Sequence, residues 1–297
     1  MSAKPPFLER NLQDFSQIFM TYYGIVQGLT LGYLLLVSID PTIKLDFQRW
    51  TLVFTMFLVV YANWLQYAIN TINFRWIPGI WDATIPMSAG LAELYSIHAA
   101  AYEPLSHWFF GFSIIGLLGW LAYSNFYRET KKIQENKSIM DSTKIYKWIN
   151  YSICISGFFS GISMGTILQQ YSFLPFRNFI SLNMFANVAV SLFAFTVIVF
   201  TIQSVMYWHS LKEHINYIEK RGNLLISKEE PANTNKYANI FQKGVSSTKY
   251  MAADHSDENT SKYSGIIKTL LLFAIALICV NAFMLKLISS LREKKAV

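Results

Sequence analysis

The third apolar segment of the chain, Ile80–Tyr102, carries two carboxylic acids, Asp82 and Glu93. They are eleven residues apart. On an α-helix, which rises about 1.5 Å and turns about 100° per residue, their side chains therefore share one face about 16 Å apart. Pro86 and Gly90 lie on or near the same face. A carboxylate at the centre of a bilayer costs about 2.5–3.5 kcal/mol on insertion scales, so a simple anchor would use apolar residues instead. The segment predicts a polar site inside the membrane.

Amide side chains in the two preceding segments are expected to face Glu93. Asn63, Gln66 and Asn70 follow i, i+3, i+7 spacing and share one helix face. A short connection makes the second and third segments antiparallel neighbours, which places Glu93, Asn63 and Gln27 near the midplane. No Lys or Arg lies at that depth, and burial without a cation disfavours a charged carboxylate. Such a group suits proton coupling or cation binding. The alternative is a neutral Glu93 that holds helices together through a hydrogen bond of about 0.6 kcal/mol.

The other polar residues of the third segment lie at different depths. Asp82, together with Asn70 and Arg75, falls near the cytoplasmic face, where it is expected to be hydrated or paired with Arg75. His98 points about 140° away from Glu93, so it is expected to contact another helix, with a proton relay as the alternative. The candidate ion or proton site therefore consists of Glu93, Asn63, Gln66, Gln27, Asp82, Asn70 and His98.

The elements that position these residues are predicted to be membrane-spanning helices. The chain is 53% hydrophobic and only 14% charged, whereas soluble domains average about 25% charged residues. Runs of about 20 apolar residues indicate spans, and spans in lipid are helices or closed barrels. We predict an all-α integral membrane protein, a polytopic bundle of about seven transmembrane helices. The predicted spans are Ile18–Ser38, Trp50–Ile72, Ile80–Tyr102, Leu105–Tyr127, Ile149–Gln169, Phe179–Trp208 and Ile266–Ile288.

The distribution of Lys and Arg predicts the orientation and the division of the chain. The loops on the side of the N terminus carry more Lys and Arg, which indicates that this side is cytoplasmic. Residues 1–17 then form a cytoplasmic segment, and residues 18–208 form a bundle of six spans. Residues 209–265 are expected to be a polar, partly disordered cytoplasmic linker, and residues 266–297 the final span with a basic tail. The segments are typical of bacterial inner (plasma) membrane proteins.

Glycines recur at every fourth position in two of the predicted spans. Such rows let a neighbouring backbone approach closely, either within the chain or between copies in a homo-oligomer. An internal duplication is one explanation, but the second half has no counterpart of the acidic third span, so independent use of one packing device is favoured. The rows are Gly24, Gly28 and Gly32 in the first span and Gly157, Gly161 and Gly165 in the fifth.

These features favour ion or proton translocation, by a channel or secondary transporter built around Glu93. The alternative is a non-transporting subunit, sensor or effector that acts through helix packing and a cytoplasmic partner bound by residues 209–265. An intramembrane enzyme is less favoured, because Asp82, Glu93 and His98 do not converge on one helix face. No metal-binding or cofactor motif occurs, and no basic stripe with interleaved aromatic residues indicates nucleic-acid binding. Lipid is therefore the one partner that the sequence requires.

Overall fold

The computed structural model describes residues 7–76, 79–171 and 181–228, and all regular structure in this part of the chain is helical. The predicted all-α class is therefore confirmed. A 3₁₀ turn, Gln134–Asn136, precedes the short fifth helix. The helices are α1 Phe7–Ile39, α2 Phe47–Asn73, α3 Ile80–Tyr102, α4 Leu105–Thr130, α5 Lys137–Ser142, α6 Lys144–Gln169 and α7 Leu182–Lys228.

Five helical segments in the described ranges are long and apolar enough to cross a membrane. A polytopic membrane-embedded bundle is therefore supported, but a count of seven spans is not. Helix α3 is not among the five, and it is the helix that carries Asp82, Glu93 and His98. The predicted span Ile266–Ile288 lies outside the described residues. The five segments are Gln17–Ile39, Phe47–Asn73, Leu105–Thr130, Lys144–Gln169 and Leu182–Asn216.

Local capping explains where the helices around the polar site begin and end. The Asp46 side chain accepts a hydrogen bond from the Arg49 backbone N–H at 2.8 Å, which caps the start of α2. At the start of α3, the Gly79 backbone N–H donates to the Asp82 carboxylate at 2.7 Å. Helix α3 ends just before Pro104, and Pro104 is the N-cap of α4. The predicted third segment therefore has the same bounds as α3.

Helix α3 lies at the centre of the arrangement, because it packs against α1, α2 and α4. Helix α4 also packs along α6, and α2 packs along α7. One apolar cluster surrounds the C-terminal end of α3 and includes Met56, Ile97 and Trp108. A second, more aromatic cluster lies near the N-terminal end of α3 and includes Trp76 and Tyr207. The polar residues near the middle of α3 therefore lie between two apolar layers.

The two glycine rows have different surroundings. Gly157, Gly161 and Gly165 all face α4: a Cβ atom added at Gly161 would lie 2.6 Å from the Phe109 carbonyl oxygen. From the other side, a Cβ at Gly116 of α4 would lie 2.7 Å from a backbone nitrogen of α6. The backbones of α4 and α6 are therefore in direct contact, a packing that only glycine allows without a shift.

The glycine row of α1 makes no such contact. A Cβ atom added at Gly24, Gly28 or Gly32 would meet no atom within 4 Å in the described structure. Helix α1 instead contacts α3 through Val26, which lies against Gly90. The glycine row of α6 therefore allows a close helix crossing within the molecule. The row of α1, which has the same spacing, faces open space in the described structure.

Helix α7 continues beyond Trp208, the residue at which the last predicted span of the bundle ends. It runs to Lys228, and its membrane-compatible segment reaches Asn216. Leu211, within this continuation, is 1% exposed and belongs to the aromatic cluster. The first 20 residues of the polar segment 209–265 are thus a helical extension of the bundle, and the rest of that segment lies outside the described residues.

Candidate functional site

Glu93 lies in the middle of α3 and is completely buried, with 0% of its surface exposed. Its Oε1 accepts a hydrogen bond from the Asn63 side-chain amide of α2 at 2.7 Å. Its Oε2 accepts a second hydrogen bond from the Gln27 side-chain amide of α1 at 3.0 Å. The structure therefore brings together the three residues that depth along the helices places near the midplane. Three helices contribute one polar residue each to this cluster.

Neutral groups alone hold the Glu93 carboxyl group. Within the described residues, no Lys, Arg or His forms an ion pair with it. The Gln27 amide nitrogen is shared, since it also donates to the Tyr23 hydroxyl at 3.1 Å, and the Gln27 Oε1 is buried without a hydrogen-bond partner. Burying a charge without a countercharge is costly. In the described structure, the Glu93 carboxyl group is therefore held by hydrogen bonds from uncharged side chains.

The three polar residues Asn63, Gln66 and Asn70 of α2 contact two different helices. Asn63 points to α3, but the Gln66 amide donates to the Ser204 hydroxyl of α7 at 2.8 Å. Asn70 likewise accepts a hydrogen bond from the Tyr207 hydroxyl of α7 at 3.2 Å. Gln66 and Asn70 are therefore not direct ligands of Glu93. They form a second polar layer between α2 and α7.

The α7 side of this second layer was not predicted from the sequence. Gln203, Ser204 and Tyr207 are 1%, 0% and 1% exposed, and they interrupt an otherwise apolar stretch of α7. The Gln203 Nε2 is buried without a hydrogen-bond partner. Adjacent Gln and Ser residues inside a predicted span were the available signal. Their contacts with Gln66 of α2 join residues that are 137 and 138 positions apart in the chain, so helical periodicity does not reveal them.

Asp82 was expected to be hydrated or paired with Arg75, and the second of these alternatives is wrong. The Arg75 guanidinium donates to Glu135 at 3.0 Å, in the turn after α4. The Asp82 carboxylate is instead occupied by the Gly79 backbone N–H at 2.7 Å and by the Asn125 side-chain amide of α4 at 3.1 Å. Asp82 is half-buried at the N-terminal end of α3, where negative charge is favoured by the helix dipole.

A cavity of about 50 Å³ lies beside α3, and its lining includes Asp82 and the amide residues of α2. Asp82 and Asn125 line one end, and Asn63, Gln66 and Asn70 line another part of its wall. Its volume is enough for roughly three or four water molecules. Asn63 both lines the cavity and donates a hydrogen bond to Glu93. The cavity is therefore separated from the buried carboxyl group by one side chain. Toward the C-terminal end of α3, an apolar cluster that includes Met56, Ile97 and Trp108 packs against the helix.

His98 lies outside this site. Its Nδ1 is 2.9 Å from the Tyr33 hydroxyl of α1, and its Nε2 is 3.9 Å from Glu103. His107 approaches the same Glu103 carboxylate at 3.5 Å from α4. His98 is therefore a helix-contact residue near the end of α3, without a contact to Glu93. Across the described ranges, no three His, Cys, Asp or Glu residues cluster in a way that would hold a metal ion.

No protein-family model matches the chain, and no curated protein or solved structure is similar to it. A helical bundle does not by itself decide a function. The described residues assemble one buried carboxyl group, two neutral amide donors and a small cavity, lined by amides and aromatic rings, that reaches the N-terminal end of α3. This arrangement can bind and release a proton or a small cation.

Proposed function

We propose that the protein translocates protons or small cations across a membrane, with Glu93 as the group that binds them. The observation that carries the proposal is the burial of this carboxyl group among neutral partners, with 0% exposure and no cationic neighbour among the described residues. A Gln at this position would keep a polar side chain between the helices without the cost of burying a charge. The presence of a Glu rather than a Gln supports a role beyond packing.

The amides around Glu93 can serve both states of the carboxyl group. As arranged, Asn63 and Gln27 both donate to it, which suits a carboxylate. When a proton is bound, rotation of the Gln27 amide would present its unpartnered Oε1 as an acceptor for the carboxylic O–H. The Glu93 carboxyl group would thus keep its hydrogen bonds both with and without a bound proton.

The position of the cavity supports the proposal, because the cavity approaches the site from one side. It extends from Asp82 to Asn63, while the apolar cluster around Met56, Ile97 and Trp108 lies toward the other end of α3. One-sided access is what a transporter requires in each of its states, because a passage open at both ends would dissipate the gradient. It also distinguishes this site from a hydrogen bond that only joins two helices.

The decisive experiment measures flux with purified full-length protein in vesicles under an imposed cation or pH gradient. We expect Glu93→Gln to reduce the flux at least about tenfold, because the exchangeable group is removed while the side-chain volume is kept. Glu135→Gln is the matched control, since Glu135 is 68% exposed in the turn after α4. Full flux in Glu93→Gln would end the proposal, provided that Glu135→Gln also retains it.

A second function is favoured by the open glycine face of α1. A non-transporting subunit, sensor or effector would use Gly24, Gly28 and Gly32 to contact a helix of another copy or of a partner protein, because nothing in the described structure covers them. Residues 209–265 would then bind a cytoplasmic partner. Replacing Gly28 with Cys tests this interpretation: disulfide-linked dimers in membranes would support it, and monomers under the same oxidising conditions would count against it.

The proposed orientation places the N terminus in the cytoplasm and the chain in the inner (plasma) membrane of a bacterium. The Lys-rich connection between α4 and α6 supports this orientation, since positively charged loops are retained in the cytoplasm. The connection carries Lys131, Lys132, Lys137 and Lys144. An N-terminal tag that is protected from protease in intact cells would agree with this orientation, and a tag that is cleaved would reverse it.

A further inference from the structure

Aromatic side chains form much of the cavity beside Asp82. They come from α1, α2, the turn before α3, α3 itself and α4, so the aromatic wall is built by several elements. The face of an aromatic ring attracts a cation that lies within about 6 Å of its centroid, and Trp is the strongest of these rings. The aromatic lining residues are Phe19, Tyr67, Trp76, Trp81, Tyr123 and Phe126.

The charge of the cavity wall also favours a cation. Among the described residues, Asp82 is the one carboxylate that lines it, and no Lys or Arg does so. Arg128 reaches only as far as Asn125, to which it donates at 2.8 Å, and it is paired with Glu129 at 3.0 Å. The Asp82 oxygens accept hydrogen bonds from the Asn125 amide and the Gly79 N–H, and the Trp76 side chain lies close enough to interact with the same carboxylate. A carboxylate has about four lone-pair sites, so one remains for a further donor.

The deeper part of the cavity provides neutral hydrogen-bond acceptors. Gln66 lines it, is 3% exposed, and has a buried Oε1 without a hydrogen-bond partner. A buried acceptor of this kind is costly unless a donor from water or a ligand reaches it. Asn63 and Asn70 add further amide groups to the same wall. A ligand with several N–H groups fits this set of acceptors.

The size of the cavity limits the ligand to a few heavy atoms. Its volume is about 50 Å³, whereas a cavity of about 150 Å³ holds benzene. A choline-sized cation would not fit without a rearrangement of the helices. An ammonium ion, or an ammonium ion with one methyl group, fits with water molecules to spare.

We propose that this cavity binds ammonium or methylammonium. The inference rests on the proposed function in that it names the cation class that would pass to Glu93. The hydrogen-bond acceptors provide the selectivity: K⁺ has nearly the same size as ammonium but donates no hydrogen bonds to Gln66 or Asp82. Ammonium combines the carboxylate, the amide acceptors and the aromatic faces in one site.

Binding is tested with the purified full-length protein in detergent at pH 7, where methylamine is protonated. Trp76 and Trp81 line the cavity, so their fluorescence reports its occupancy. We expect a saturable response to methylammonium chloride and none to KCl at equal ionic strength. Asp82→Asn should weaken binding at least about tenfold through loss of the carboxylate, and Trp81→Leu about three- to tenfold through loss of one ring. Glu135→Gln, outside the cavity, should bind as the unmodified protein does.

Three results would overturn the inference: an equal response to KCl, a response to methylammonium that does not saturate, or unchanged affinity in folded Asp82→Asn. Circular dichroism and gel filtration establish that each variant is folded, and the comparison of the two salts needs no variant. Glu93→Gln separates this inference from the proposed function. Full flux in Glu93→Gln with methylammonium binding intact contradicts only the function, whereas Glu93-dependent flux without methylammonium binding contradicts only the inference.

Discussion

Replacing Gly161 with Ala tests the close contact between α4 and α6. The added Cβ atom would lie 2.6 Å from the Phe109 carbonyl oxygen, 2.7 Å from the Ser113 Cβ and 2.9 Å from the Ser113 backbone nitrogen. Two of these three atoms belong to the backbone of α4. Relief therefore requires the two helices to separate by several tenths of an ångström, and a change of side-chain rotamer cannot provide it.

The magnitude follows from a matched substitution in the other glycine row. Gly28→Ala adds the same methyl group where no atom lies within 4 Å. Both substitutions gain about 1 kcal/mol of helix propensity, so this gain cancels in the comparison. Inserting a methyl group into tight packing costs about 1–3 kcal/mol. We expect Gly161→Ala to be less stable than Gly28→Ala by this amount.

The assay is reversible unfolding in mixed micelles with increasing SDS, followed by circular dichroism. Equal unfolding free energies for the two variants would refute the described contact between α4 and α6. A loss of stability in Gly28→Ala that depends on protein concentration would have a different meaning. It would indicate that a second copy covers the open face of α1, in favour of the non-transporting function.

Two further substitutions test contacts that position the site. Arg49→Met removes two hydrogen bonds, of 2.9 and 2.6 Å, from the guanidinium to carbonyl oxygens at the end of α3; we expect a loss of about 2 kcal/mol in the same unfolding assay. Arg75→Gln is its control, because the ion pair with Glu135 is exposed and should contribute less than about 1 kcal/mol. Tyr207→Phe should cost about 1 kcal/mol, since it leaves a buried Asn70 oxygen without its donor. An Arg49→Met protein as stable as Arg75→Gln, or a neutral Tyr207→Phe, would contradict these contacts.

The bounds of α3 and the cluster around Glu93 could be predicted because both depend on local chain geometry. Pro104 marks the end of α3, because a proline restricts the residue before it and has no N–H to continue the helix. The turn between α2 and α3 is short, so counting residues from it places Asn63 and Glu93 at the same depth. Their hydrogen bond of 2.7 Å agrees with this count.

The partners of Gln66 and Asn70 could not be predicted in the same way. Helical periodicity assigns a residue to a face of α2, but it does not say which helix covers that face. The two residues differ from Asn63 by three and seven positions, or by about 60° and 20° around the axis. These angles are small enough to suggest one shared partner. The structure instead has α7 covering part of this face, through contacts spanning 137 and 138 residues of chain.

The error at Arg75 has a related cause. Proximity in sequence and opposite charge favoured a pair with Asp82, because both were placed at the same membrane face. The N-terminal end of α3 already supplies the Gly79 N–H to Asp82, and Asn125 of α4 supplies a second donor. Arg75 is left exposed, with Glu135 as its partner. A carboxylate that accepts hydrogen bonds from neutral donors, with no Lys or Arg among the described residues of the adjoining cavity wall, can accept a cationic ligand. Because Arg75 pairs with Glu135 and not with Asp82, the Asp82 carboxylate can provide the electrostatic basis of the proposed ammonium site.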